Sequence, residues 1–138
     1  MKMTKFYSVA LACILVLLAG CCVIPAAGPL DGTSWQLYAY RKTRPIEGST
    51  ITISFEDGEV RGTSGCNSYG GAYQLDGKKI AFSELYATLM ACPEPEGLME
   101  QETMFLQFLG NAQRFEMADG QLQIFWSDHE ALTFVHIR

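Results

Sequence analysis

The residues whose types suit chemistry sit in two short stretches. Arg61-Gly62-Thr63-Ser64-Gly65-Cys66-Asn67-Ser68-Tyr69-Gly70-Gly71 places one cysteine, two serines and an asparagine among four glycines, and Thr88-Leu89-Met90-Ala91-Cys92 ends on a second cysteine. A cysteine nucleophile needs a neighbouring base and an electropositive setting. The two histidines, His129 and His136, lie far along the chain. A nucleophilic Ser64 would need glycine where Cys66 stands, on a strand-to-helix elbow of an α/β sheet. The chemistry that fits both stretches better is oxidation: a disulfide between Cys66 and Cys92.

Metal ligation finds no pattern, because there is no Cys-x-x-Cys and no paired histidine spacing. His136 reads as a wall or edge residue of a strand. No metal, cofactor or catalytic residue is expected. Glu94, Glu96, Glu100 and Glu102 cluster at the start of a helical stretch, where acids complement the helix dipole; hydrolysis by paired carboxylates would require two of them facing one cleft. Glu102 alone is out of place. On a helical wheel it falls inside the apolar arc of Leu98, Phe105 and Leu109, and a glutamate is too short to snorkel out. Either it is bonded to backbone amides or an arginine, or it presents an acid to a ligand at a barrel mouth.

The compartment follows from the N-terminus. Lys2 and Lys5 precede an apolar run from Phe6 to Leu18 that is too short for a comfortable membrane span, and Leu18-Ala19-Gly20-Cys21 closes it. Residues 1–20 are expected to be a signal peptide of the lipoprotein type, with Cys21 lipidated after cleavage. Residues 21–30, with Pro25 and Pro29, read as a lipid-proximal tether, and 31–138 as one domain. Cleavage removes two lysines and no acid, so the net charge of −5 becomes more negative. An acidic chain argues against nucleic acid and leaves membrane contact to the lipid. Export also favours disulfides. Cys13 leaves with the signal, Cys21 is modified, and Cys22 sits in the tether as an odd thiol, further modified or paired between chains. Cys66 and Cys92 remain as the pair. The residue after Cys21 is not aspartate, which resembles an outer-membrane destination facing the periplasm.

The elements that would position these residues are short strands. Trp35, Leu37 and Ala39 alternate with Gln36, Tyr38 and Tyr40; Ile51, Ile53 and Phe55 alternate with Thr52 and Ser54. Asp57-Gly58, Asp76-Gly77-Lys78 and Asp119-Gly120 mark hairpin turns. Leu98 to Leu109 is the one helix, stopped at Gly110-Asn111. Glu84 to Ala91 is irregular, and the glycine-rich stretch reads as a sharply turned loop. The pattern predicts an all-β domain with one helix: a small antiparallel β-barrel closed or flanked by that helix. Tyr38, Tyr40, Tyr69, Tyr73 and Trp126 exceed what one strand face needs to bury.

Thr33-Ser34-Trp35, Gly62 to Tyr69, Thr88 to Cys92, Met99 to Phe105 and Leu132-Thr133-Phe134 together resemble the META domain (HslJ-like) family over Leu30 to Ile137. The resemblance implies a small antiparallel barrel with one helix, often exported or lipid-anchored in bacteria, with some members associated with heat shock or antibiotic tolerance. It implies no catalytic residues. The expected function is a non-enzymatic envelope module, binding or stress-protective, anchored to the membrane by its lipid and engaging a protein or small-molecule partner. The alternative is an inhibitor of an envelope-directed hydrolase such as lysozyme. If the module binds through a loop, Gly65 to Gly71 is the candidate, with Asn67, Ser68 and Tyr69 as contacts. The competing account is that Asn67 and Ser68 bond their own backbone to shape a turn.

Overall fold

The computed structural model describes residues 28–137; the expected leader, the expected lipidation site Cys21 and Cys22 lie outside them. Eight antiparallel strands close into a barrel in sequence order. They are β1 (Thr33–Tyr40), β2 (Thr52–Glu56), β3 (Glu59–Thr63), β4 (Ser68–Asp76), β5 (Lys79–Ala87), β6 (Arg114–Ala118), β7 (Gln121–Phe125) and β8 (Ala131–His136), with one helix, α1 (Leu98–Gly110), between β5 and β6. The all-β barrel with a single helix is the architecture the strand pattern predicts. Pairing of β1 with β8 closes the ring, setting Leu37 opposite Phe134 and Tyr40 opposite Leu132. Alternation aims one face of each strand inward, and the interior is filled by Trp35, Leu37, Ile53, Phe55, Val60, Tyr73, Ile80, Phe115, Leu122, Ile124, Leu132 and Phe134.

Up-and-down connectivity separates two ends. One carries three two-residue hairpin turns and the entry of the chain, where Asp57 N–H donates to Asp31 Oδ1 at 2.7 Å. Asp57-Gly58 and Asp119-Gly120 both take positive φ at each residue, the mirror-image turn that matches strand twist. In the middle hairpin Asp76 still pairs with Lys79, so the turn is Gly77-Lys78, one residue later than expected. The other end carries the long connections and α1. Leu30, read as tether, is fully buried in the core, so the folded unit begins before residue 31.

Two strands break their alternation. A register shift between Leu37 and Ala39 exchanges the faces of β1, so that Tyr40 packs against the core where simple alternation would aim Ala39. In β5, Glu84 takes φ 53°, and the register slips between Gly70 and Ala72 on the facing strand. Without that extra residue Glu84 would continue the inward face of Ile80 and Phe82. With it, Glu84 is exposed and Leu85 and Ala87 pack on the core. Of the stretch that looks irregular in sequence, residues 84–87 complete the nine-residue strand β5 from its bulge onward, and residues 88–91 lie outside any strand. The glycine-rich stretch is likewise mostly strand: from Ser68 onward it is β4, and only Gly65-Cys66 turns between the bridged Ser64 and Asn67.

The weak seam lies between β5 and β6, which pair only at Lys79 and Arg114. Beyond that point α1 packs against β5. Phe105 and Leu109 enter the core, and Phe108 stacks on Trp126 at 4.1 Å. The helix begins without a side-chain cap, at Gly97, so tertiary contacts must hold it.

Gly71 makes the β5 bulge possible: a Cβ there would lie 2.8 Å from the Ser83 carbonyl oxygen and 2.9 Å from Leu85 Cδ2. Gly71→Ala should therefore lower stability by about 1–3 kcal/mol, the scale of overpacking, measured by urea unfolding. An unchanged midpoint would mean that the bulge has room to spare.

Candidate functional site

Leu98, Gln101, Glu102, Phe105 and Leu109 form the buried stripe of α1, the i, i+3, i+4, i+7 spacing of a core-facing helix. Two polar residues stand in its middle, and each fastens a different loop. Gln101 Oε1 accepts from the Ile46 N–H at 2.7 Å and its Nε2 donates to Ser49 Oγ at 2.9 Å, fixing the β1–β2 connection. Glu102, 5% exposed, takes the β3–β4 turn. Its Oε2 accepts from the Asn67 N–H at 2.7 Å and the Cys66 N–H at 3.3 Å. Ser64 Oγ lies 2.7 Å from Oε2 and 2.9 Å from the Asn67 carbonyl, one hydroxyl shared between two acceptors. Oε1 accepts from Asn67 Nδ2 at 2.7 Å. Successive backbone N–H groups converging on one anion form a nest, occupied here by a carboxylate of the same chain.

Asn67 carries the network onward. Its Oδ1 accepts from Thr88 Oγ1 and the Met90 N–H, both at 2.7 Å, and its Nδ2 donates to the Met90 carbonyl at 3.1 Å. The amide thus pairs with the Met90 backbone as a neighbouring strand would. Beside it the Cys66–Cys92 disulfide, with Cα atoms 6.0 Å apart, joins the same two segments. Burial alone would push the Glu102 carboxyl up, but the donors from Asn67, Ser64 and Cys66 outweigh it and hold the carboxyl below the ordinary glutamate value.

Of the four residues read as contacts, Asn67 (2% exposed), Tyr69 and Glu102 are buried and only Ser68 faces solvent. That corrects the picture of an exposed polar and aromatic loop. Tyr69 belongs to β4 and points inward, its ring edge-on to Phe105 and its hydroxyl donating to the Thr52 carbonyl at 2.8 Å; burial raises its pKa well above the ordinary value. Glu102 bonds backbone amides and side chains of one turn, with no arginine involved. Gln101 did not stand out in the sequence; Ser64, weighed there as a nucleophile, instead donates to Glu102, and Thr88 donates to Asn67. Gln101 is in the same helical arc as Glu102, and that placement was the available signal. Among the described residues no group of His, Cys, Asp and Glu could hold a metal ion, and no helix is long and apolar enough to cross a membrane.

An eight-stranded up-and-down barrel whose loop-bearing end is locked to one helix by a buried glutamate and a disulfide defines a small β-barrel class. The META domain model matches residues 28–138, and the chain belongs to the META domain family. It is similar to a protein from Burkholderia xenovorans solved by NMR, with 31% identity and a TM-score of 0.64 over 78% of this chain and 83% of that one. A second NMR structure, at 21% identity and TM-score 0.62, covers 77% of this chain and 90% of that one. The crystal structure of a DUF4847 family protein from Bacteroides vulgatus shares the fold at 14% identity and TM-score 0.58, over 79% and 95% of the two chains. No curated protein is similar at a significant level.

Glu102→Gln places an NH2 group where only donors converge. Flipping Asn67 cannot relieve the conflict, since the Met90 N–H and C=O fix both ends of its amide. The substitution should cost about 2–3 kcal/mol, read from chemical denaturation at neutral pH. Because the folded pKa lies below the unfolded one, the stabilisation from Glu102 is complete above about pH 4.3 and lost as pH falls through the folded value. The wild-type minus Glu102→Gln difference should accordingly shrink on acidification; a constant difference would mean that the carboxyl is not ionised when folded.

Proposed function

We propose that this chain is a lipid-anchored, non-enzymatic binding module of the bacterial envelope, acting in tolerance of stress or antibiotics. One observation carries the reading. At the loop-bearing end, the groups best suited to chemistry are committed to one another: both oxygens of Glu102 and both ends of the Asn67 amide are bonded internally, and Cys66 is bonded to Cys92. What this end offers a partner is a rigid surface shaped by that network, which suits recognition. The Leu18-Ala19-Gly20-Cys21 motif supports an anchor at Cys21, and the short tether would keep the hairpin-turn end near an outer membrane with the loops facing the periplasm. A second reading, an inhibitor of an envelope-directed hydrolase such as lysozyme, draws support from the projecting Thr88–Cys92 segment, a device that could enter a cleft.

In a strain lacking the gene, the intact protein should incorporate labelled palmitate and restore growth at raised temperature or under antibiotic. Cys21→Ala should remain unlabelled and complement poorly. Equal labelling of both proteins would remove the anchor, and a deletion strain that grows like its parent under every stress would remove the role.

A further inference from the structure

Leu89 and Met90 follow the end of β5, and among the described residues no large hydrophobic is more exposed than Leu89, at 98%; Met90 is 57% exposed. A lone solvated leucine is ordinary on a protein surface. These two differ in that the chain cannot fold them under. The Met90 N–H and C=O are both bonded to Asn67, the Thr88 N–H donates to the Ser68 carbonyl at 3.0 Å, and Cys92 is tied to Cys66. The tip is held outward by the network that Glu102 anchors, so little ordering cost remains when a partner covers it.

Charge selects the partner. Between Lys79 and Arg114 the sequence contains no Lys, Arg or His, while Glu84, Glu94, Glu96 and Glu100 are all exposed. The segment that carries the tip is therefore acidic; it repels an anionic bilayer and a second copy of this acidic chain. The tip also stands at the barrel end opposite the chain entry at Gly28. We infer that the Leu89–Met90 tip docks a cationic protein segment with an apolar face, its apolar side chains covering Leu89 and Met90 and its lysines or arginines facing the glutamates. The inference rests on the binding-module reading and names that module's contact and the chemistry of its partner.

The test uses the intact protein and defined probes: an amphipathic Leu/Lys helical peptide, its Ser/Lys and Leu/Glu counterparts, and vesicles of phosphatidylethanolamine with phosphatidylglycerol. The Leu/Lys peptide should bind, and about tenfold more weakly to Leu89→Ser/Met90→Ser and to Glu94→Gln/Glu96→Gln, with melting temperatures unchanged because these side chains are exposed. The Ser/Lys peptide should bind weakly and the Leu/Glu peptide and vesicles not at all. Several outcomes overturn the inference: undiminished binding by the Leu89→Ser/Met90→Ser variant, equal binding of the Leu/Glu peptide, vesicle binding through the tip, or dimerisation abolished by Leu89→Ser. Undiminished binding by that variant sinks the tip alone and leaves the module standing. Absence of binding to every probe sinks the partner chemistry, whereas the module reading falls only with the deletion strain.

Discussion

The carboxylate of Glu102 is the constraint on which the rest of this end of the barrel depends. A buried anion is costly unless its lone pairs are filled by donors. Here the donors come from the Ser64–Asn67 turn. The turn consequently cannot leave the helix without stranding a charge, and the helix cannot leave the turn. Because Asn67 spends its remaining valences on Thr88 and Met90, the constraint reaches the segment after β5. One side chain of α1 thereby fixes two loops far apart in sequence, and its neighbour Gln101 fixes a third.

That arrangement answers a weakness in the barrel itself. With only Lys79 and Arg114 paired, the β5–β6 seam supplies little of the ladder that holds the other strands together. A helix can cover such a gap but cannot pair with a strand edge, so its position must be set by side chains. The first half of α1 is held by Gln101 and Glu102. The second half is held by Phe105 and Leu109 in the core and by the Phe108–Trp126 stack. Trp126 is steadied in turn by Glu130, which accepts from its Nε1 at 3.2 Å and pairs with Arg41 at 3.0 Å. The exposed pair contributes little energy by itself; it orients the ring that the helix rests on.

Most of the barrel was legible because alternation and Asp-Gly turns are local signals. Ile51, Ile53 and Phe55 are buried as their spacing requires, and two of the three expected turns take the positive φ that Asp-Gly predicts. What escaped was every place where one residue changes the phase. The shifts at Tyr38 and Glu84 exchange inner and outer faces, and nothing adjacent in the sequence announces them. Gly70 and Gly71 misled for a related reason: their absent side chains serve close approach within a strand, against Tyr86 and the Ser83–Leu85 bulge, and do not mark a loop. Tyr69 alternates with Tyr73 as a strand requires, a weaker local signal than the glycines on either side of it. Glu102 was visible as an anomaly on the helical wheel. Its partners were not, because they lie some 35 residues or more away in sequence and only the closed barrel brings them together.

The disulfide and Asn67 join the same two segments, yet they act on different sides of the folding equilibrium. A bridge across a separation of 26 residues mainly removes conformations from the unfolded chain, worth about 3–4 kcal/mol in the chain-entropy model. The bonds from Asn67 to Met90 and Thr88 exist only in the folded state, where they set the direction in which Leu89 and Met90 project. Breaking the disulfide would therefore make the domain easier to unfold while leaving the folded tip still aimed by Asn67. Losing Glu102 would do the reverse damage: the covalent bridge would persist, but the turn that carries Asn67 would lose the acceptor for its backbone donors. Direction at this end of the barrel comes from the carboxylate and the amide, and persistence from the sulfur bridge.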